Sequence, residues 1–418
     1  MISNAAEAID YIHSLSRFGK KSGLSNISLM LERLENPHKG MQFVHIAGTN
    51  GKGSVSNMIK NILINHGYKV GYYTSPYIEF FSERICIGND MISDDDLVLY
   101  TNRVIEASKD ITPIEFEFIT AMAFLYFKEK ACDIVVLEVG LGGRLDSTNV
   151  IDTPLLNVIT PIGYDHTQIL GETLSDIAFE KAGTIKENST VVISAQMNDE
   201  CKNVIAKKCE EVSATLISSS SSPENVSYSP SGTSFDYRGK RYLLSLSGTY
   251  QVDNAVTAIE AARALMPKLN LDQEDIVKGL SSSFWKCRFE LRGSSPITVL
   301  DGAHNSHGIK ALMQSTDTYF PNQKKVFLFS MLGEKDWKES IDLILHRCDS
   351  IILTKVPSTR PTQTEEMLNH IKNKGIACTY IESYTDAYQK AKSMAGTDGV
   401  VVVFGSLYLS GALRQYVE

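Results

Sequence analysis

The stretch VHIAGTNGKGS, residues 44–54, decides how the chain is read. The apolar run MQFVHIA (41–47) has the composition of a buried strand and stops at Gly48. VSNMIKNILINH continues with helical texture, and Gly67 supplies its end. Strand, glycine-rich turn and helix in that order form a place where backbone N–H groups and a helix N-terminus gather an anion. Gly48, Gly51 and Gly53 let the backbone wrap a phosphate without a Cβ in the way, and Lys52 brings a point charge to the β and γ oxygens. Thr49, Asn50 and Ser54 complete the loop, which departs from the usual phosphate-loop pattern because Gly53, not Ser or Thr, follows the lysine.

Around this loop the composition is that of an ordinary globular protein, with 43% hydrophobic and 22% charged residues, and 418 residues suggest two or three domains. A formal net charge of -8 lacks the basic footprint of a nucleic-acid binder, so no nucleic-acid partner is expected. Seven scattered cysteines, none in C-x-x-C spacing, read as reduced thiols. The first residues lack a basic and then apolar leader pattern, and no run of about 18 apolar residues occurs. A cytoplasmic location, no membrane partner and a monomer are expected.

Apolar runs and amphipathic segments alternate along the chain, the pattern of a parallel sheet covered by helices. In the first part the strands are 42–47, 69–74, 133–139, 155–160 and 190–194, with helices at 52–65 and 115–128. The fold class is therefore α/β, with a doubly wound, mostly parallel phosphate-loop domain. Residues 213–246 change to short alternating segments around the polar tract SSSSSPEN, read as a small antiparallel excursion of that domain. Past LRGSSP a second alternation gives strands 297–300, 325–329, 350–354, 377–381 and 400–404. The boundary is placed near residue 293, so that 1–293 form the phosphate-loop domain and 294–418 a smaller Rossmann-like α/β domain.

Several polar residues fall at strand ends, where open α/β sheets take ligands. Glu138 opens EVGLGGRLDSTN after one buried strand, and a carboxylate there needs a cation or donor to face. Asp165 and His166 follow the strand 155–160, Lys181 lies on the helix starting near Thr173, and Asn254 falls in the first turn of a helix opening at Gln251. Asp301, His304 and Asn305 leave the first strand of the second domain in ITVLDGAHNSHG.

GTNGKGS, EVGLGGRLDSTN, DHTQILGETLSDIAFEKAG, RFELR, DGAHN and FGSLYLSG, in this order, resemble the Mur-ligase-like ATP-dependent amide ligases, and more closely the folylpolyglutamate synthase and dihydrofolate synthase group. The likeness runs from near Leu15 to the C-terminal region. It implies ATP and Mg²⁺ as cofactors, with a monovalent cation such as K⁺ as a further ion the reading allows. Ser75, Glu138 and His166 would hold the magnesium, and Lys181 would be carried as a carbamate. Asn254 would read adenine, Arg288 would reach ATP phosphate, and Asp301 and His304 would touch ribose and phosphate and border the glutamate site with Ser406. Lys335 and Asp336 in MLGEKDW also resemble family segments. The pterin would lie near FFSERICI, on Phe80, Phe81 and Arg84, under a lid formed by RFGKKSGLSN (17–26). In place of the family's Pro-Gly this chain has Lys286 and Cys287, which puts the shape of that turn in doubt.

The implied reaction is ligation of L-glutamate to folate or folyl-polyglutamate through an acyl phosphate, with dihydropteroate left open as a second acceptor. Lys52, Lys181 and His304 are the catalytic candidates. Two rivals stand beside it: another Mur-type amino acid ligase acting on cell-wall precursors, and a non-ligating ATP-binding switch. The loop ending GKGS and the SERI phrase favour the folate branch.

Overall fold

The computed structural model describes residues 1–16, 23–219, 221–333, 335–358 and 360–417. The chain divides into two compact units, Met1–Ser222 with Asn254–Ser282 and Pro223–Asp253 with Ser283–Glu418. The first unit is built on one sheet of β1 (Phe43–Ala47), β2 (Val70–Tyr73), β3 (Ile85–Ile87), β4 (Asp90–Met91), β5 (Ile134–Glu138), β6 (Leu156–Ile159), β7 (Thr190–Ile193) and β8 (Thr215–Ser218). Their order is β4-β3-β2-β5-β1-β6-β7-β8. From β2 to β8 every neighbour pairs parallel, and the edge strands β3 and β4 turn antiparallel.

β1 and β5 are buried along their whole length, as strands with helices on both faces must be. Helix α1 (Lys52–His66) follows the glycine loop, and Gly67 ends it in a left-handed conformation, as its sequence predicts. On the opposite face Phe43, Val135 and Leu137 pack into an apolar cluster with α2 (Glu115–Glu129). Ile159, Val191 and Ile193 pack with α3 (Leu174–Ala182) and α4 (Asp199–Glu211). The chain leaves β1 for β2 on one side and β6 for β7 on the other, so the loops after β1 and β6 stand at the switch point where such sheets bind ligands.

The second unit contains the antiparallel sheet β9 (Glu224–Ser229), β10 (Gly232–Tyr237) and β11 (Lys240–Leu244), and a larger sheet of β12 (Glu290–Arg292), β13 (Ile297–Leu300), β14 (Lys325–Phe329), β15 (Ser350–Leu353), β16 (Cys378–Tyr380) and β17 (Val400–Phe404) in the order β12-β13-β17-β14-β15-β16. Only β12 is antiparallel to its neighbour. Helix α5 (Tyr250–Leu269) carries the division between the units, and α6 (Gln273–Ser281) belongs to the first. Helix α7 (Ser306–Tyr319) covers the second sheet and meets β10 through the Tyr319 hydroxyl, 3.1 Å from Thr233 Oγ1.

The α/β class and the strands of both sheets agree with the sequence pattern, and three details differ. Thr215–Ser218 joins the first sheet as a parallel edge strand instead of starting the antiparallel excursion. The excursion itself groups with the second unit, tied there by Tyr319. The boundary expected near 293 falls inside that unit, because Glu290–Arg292 pairs with β13. Among the described residues no helix is long and apolar enough to cross a membrane.

Helix α6 lies so close to α1 that a Cβ on Gly279 would come within 2.5 Å of Ile62 Cα. Gly279→Ala should therefore lower stability by about 1–3 kcal/mol, read as a lower urea midpoint for the first unit.

Candidate active site

The loop after β1 is shaped by close packing. A Cβ on Gly48, whose φ is 147°, would stand 1.8 Å from Thr160 Oγ1, and one on Gly51, φ 86°, would stand 2.5 Å from Asn254 Oδ1. The amides of Thr49 and Asn50 donate to Pro161 O at 3.0 and 3.3 Å, and the Thr49 hydroxyl bonds Gly163. The loop is thus tied to the segment after β6. Val55 N–H is the one that closes on Gly51 O, at 2.9 Å, so the amides of Lys52 and Gly53 ahead of it have no acceptor within the helix. That first turn is the anion-binding end of α1, and Ser54 lies buried in it.

Two lysines converge on one carbonyl of this loop. Lys52 Nζ donates to Gly48 O at 3.2 Å and Lys181 Nζ to the same oxygen at 2.9 Å. Lys181 is buried, and burial together with the Lys52 cation lowers its pKa to about 7. Sequence reading placed Lys181 on its helix; the structure brings it to the phosphate loop.

Glu138 ends β5 beside β1, paired in register with Ile46, and is buried. Its Oε2 accepts from the Thr74 hydroxyl and from Ser75 N at 3.4 Å. Ser75 and Glu138, expected as a pair, are thus neighbours, joined through the Ser75 backbone N–H. His166 lies on the loop after β6 at the same end of the sheet, in a left-handed conformation, exposed, with Nε2 3.8 Å from Asp165 Oδ1. Among the described residues no three His, Cys, Asp or Glu side chains are grouped to hold a metal. A carboxylate and a hydroxyl at the edge of a phosphate site are still oxygen donors that suit Mg²⁺, which keeps positions for phosphate oxygens and water, while an imidazole is a softer donor. Thr74 escaped the sequence reading, although it stands next to Ser75.

Asn254 does not cap its helix. α5 begins at Tyr250, and Asn254 is buried one turn in with its amide oxygen against Gly51. Near the expected pterin site Phe80 is 59% exposed, whereas Phe81 is 5% exposed and packed against His13 and Tyr77. Phe81 is thus part of the core, and the stacking role expected of both rings is open only to Phe80. Arg84 lies over the Tyr77 and Phe81 rings and pairs with Glu115 at 3.4 Å, while its Nε is buried without a partner. Of the lid expected over 17–26, residues 17–22 lie outside the described residues.

In the second unit Asp301 is buried and fully engaged. Its carboxylate accepts from Tyr250 Oη at 2.7 Å, Phe289 N at 2.8 Å and Ala303 N at 2.7 Å, and burial raises its pKa. Asp301, expected to touch ATP and glutamate, braces the turn that bears Arg288 and the turn that bears His304. Arg288 Nη1 donates to Cys287 O at 3.0 Å, and Gly302 leaves room for that guanidinium, since a Cβ there would meet it at 2.3 Å. His304 Nδ1–H donates to Gly302 O at 2.8 Å, which fixes the orientation of the ring. Cys287 has a φ of 52°, a conformation a glycine adopts freely, so the chain keeps the turn by accepting backbone strain. Ser406 is buried at the start of the last helix, next to Gly405, whose N–H donates to Ala303 O at 2.8 Å. Asp336 caps its helix on Glu339 N at 3.2 Å, and Lys335 precedes it.

Two α/β units, a phosphate loop at a switch point and a second sheet with polar turns at its strand ends define a nucleotide-dependent ligase. Residues 46–262 match the Mur ligase middle domain and residues 287–407 the Mur ligase glutamate ligase domain; the chain belongs to the Mur ligase family, in its folylpolyglutamate and dihydrofolate synthase branch. It is 35% identical to the dihydrofolate synthase/folylpolyglutamate synthase of Bacillus subtilis over 100% of both chains. It is 34% identical to the folylpolyglutamate synthase of Lacticaseibacillus casei over 99% of this chain and 98% of that one. The folylpolyglutamate synthase of Mycobacterium tuberculosis, solved complexed with ADP, superposes with a TM-score of 0.91 at 28% identity, covering 99% and 98% of the two chains.

The buried Lys181 leaves a mark on stability. Unfolded, it keeps its proton up to about its ordinary value of 10.5; folded, it loses it near 7. Between these values the unfolded chain binds the extra proton, so the burial penalty is fully present below about 7 and stability rises with pH toward 10.5. Lys181→Met should flatten that rise in urea midpoints taken across the window, leaving a smaller slope from Lys60, which burial lowers to about 8.

Proposed function

We infer that the chain joins L-glutamate to the carboxylate of a folate or folyl-polyglutamate using ATP, and that the carboxylate is activated as an acyl phosphate. The observation that supports this reading best is the pair Lys52 and Lys181 on Gly48 O, after the strand that pairs with the one ending in Glu138. The ADP complex of the Mycobacterium tuberculosis relative supports a nucleotide in the family fold.

A carboxylate resists an amine because its charge repels the nucleophile and oxide is a poor leaving group. One carboxylate oxygen attacks the γ-phosphorus of ATP, the bond to ADP breaks, and an acyl phosphate forms. The glutamate amine attacks the acyl carbon, loses a proton and expels phosphate. Such transfers depend on positioning and charge neutralisation. Lys52 and the first-turn amides of α1 take β and γ oxygens, Asn254 borders the base, and Arg288 and His304 contribute phosphate contacts. Ser75, Glu138 and His166 would hold Mg²⁺, which neutralises phosphate charge when bound. Neutral Lys181 is the form of the amine that adds CO₂: its nitrogen bonds to the carbon, one proton leaves to water, and the neutral amine becomes an anionic carbamate. Phe80 and Arg84 take the pteridine acid, and Ser406 and His304 border the incoming glutamate.

Dihydropteroate is the second acceptor, a reading supported by the Bacillus subtilis relative, which is a dihydrofolate synthase as well. The substrates are small molecules, the chain works as a monomer, and its seven free cysteines fit a reducing cytoplasm.

Purified protein should release phosphate from ATP only when a pteroate or folate acceptor and L-glutamate are both present, with one amide formed per phosphate. Release without an acceptor would favour the ATP switch; turnover only with cell-wall peptides would favour the other ligases. Lys52→Ala should lower kcat/KM about a hundredfold to a thousandfold.

A further inference from the structure

The glycine-rich segment 140–149 contains more than the reaction above uses. Arg144 N–H donates to Glu180 O at 2.7 Å, and the Asn149 side-chain amide donates at 3.0 Å to both Arg144 O and Gly183 O. Glu180 and Gly183 stand on either side of Lys181 at the C-terminal end of α3, where helix carbonyls have no N–H donors within the helix. The fit is too close for side chains: a Cβ on Gly143 would come 2.8 Å from Glu180 O and 3.1 Å from Lys181 Cα, and one on Gly183 would come 2.3 Å from Arg144 Cβ.

The segment is anchored in turn to β1. Buried Asp146 accepts from Leu141 N at 2.8 Å, Thr148 N at 3.0 Å and Thr148 Oγ1 at 2.6 Å. Since that hydroxyl gives its proton to Asp146, it can only accept from His45 Nε2–H, 2.8 Å away. His45 lies on β1, the strand that delivers Gly48, and Lys181 Nζ ends on Gly48 O. The bonds therefore close a circuit: β1, Thr148, Asp146, the glycine turn, the end of α3, Lys181 and back to the phosphate loop.

We propose that residues 140–149 are a positioning clamp, with Asn149 as its key residue, which fixes the turn bearing Lys181 against Gly48 and so sets the shape of the phosphate loop for ATP. A lysine has four rotatable side-chain bonds, and holding its tip on one carbonyl requires that its Cα be held first. Gly143, Arg144 and Asn149 hold it. The proposal rests on the ATP-dependent reading above only in naming the nucleotide.

The test compares Asn149→Ala and Thr148→Val in the full-length protein with Ile205→Ala, which weakens the apolar packing of α4 on α3 without touching the clamp. In both clamp variants the KM for ATP should rise about tenfold and kcat/KM fall about a hundredfold, and hydrogen exchange should quicken at 180–185 and 48–51 while 326–329 stays unchanged. Ile205→Ala should lower the melting temperature with KM for ATP within twofold of wild type. ATP affinity and exchange unchanged in Thr148→Val, or shifted equally in Ile205→Ala, would overturn the clamp. Should Asn149→Ala not fold, Thr148→Val decides alone. A wild-type protein that binds ATP but forms no amide would defeat the ligase reading and leave the clamp to be judged on ATP binding.

Discussion

The phosphate loop depends on one backbone oxygen. Gly48 O receives Lys52 from the helix that follows it and Lys181 from a helix far along the chain, and the second amine is bound without water around it. Burial removes the water that would stabilise the charge on Lys181, and the Lys52 cation beside it adds repulsion, so the buried amine gives up its proton readily. The loop thus combines a cation that can reach phosphate with an amine held near neutrality. Gly48 itself has no freedom to shift, because Thr160 fills the space a side chain would need.

The same economy of polar groups appears in the second unit. Asp301 is surrounded by three donors, and through them one buried carboxylate fixes both the Arg288 turn and the His304 turn. A carboxylate this well satisfied serves shape more than recognition. Arg288 and His304 are held at the ends of such braces.

Local pattern was enough for the sheets, since buried parallel strands are short apolar runs, and enough for the glycine loop, whose strand and helix flank it in sequence. Glu138 and Ser75 were legible because each ends or follows a strand. What escaped was set by partners distant in sequence: Thr160 behind Gly48, Thr74 on Glu138 and Tyr250 on Asp301. Phe81 looked like a twin of Phe80, yet one backbone step turns one ring inward and the other out. Thr215–Ser218 looked like part of the antiparallel segment because alternation does not reveal which sheet a strand will join. The turn at Cys287 was in doubt from sequence, and it adopts a left-handed φ there.

The central claim is that ATP activates the acceptor as an acyl phosphate, and oxygen transfer tests it most directly. An acceptor whose carboxylate carries heavy oxygen should pass one labelled atom to the released inorganic phosphate in each turnover with L-glutamate. Label found wholly in water or retained in the amide, with none in the phosphate, would contradict the account.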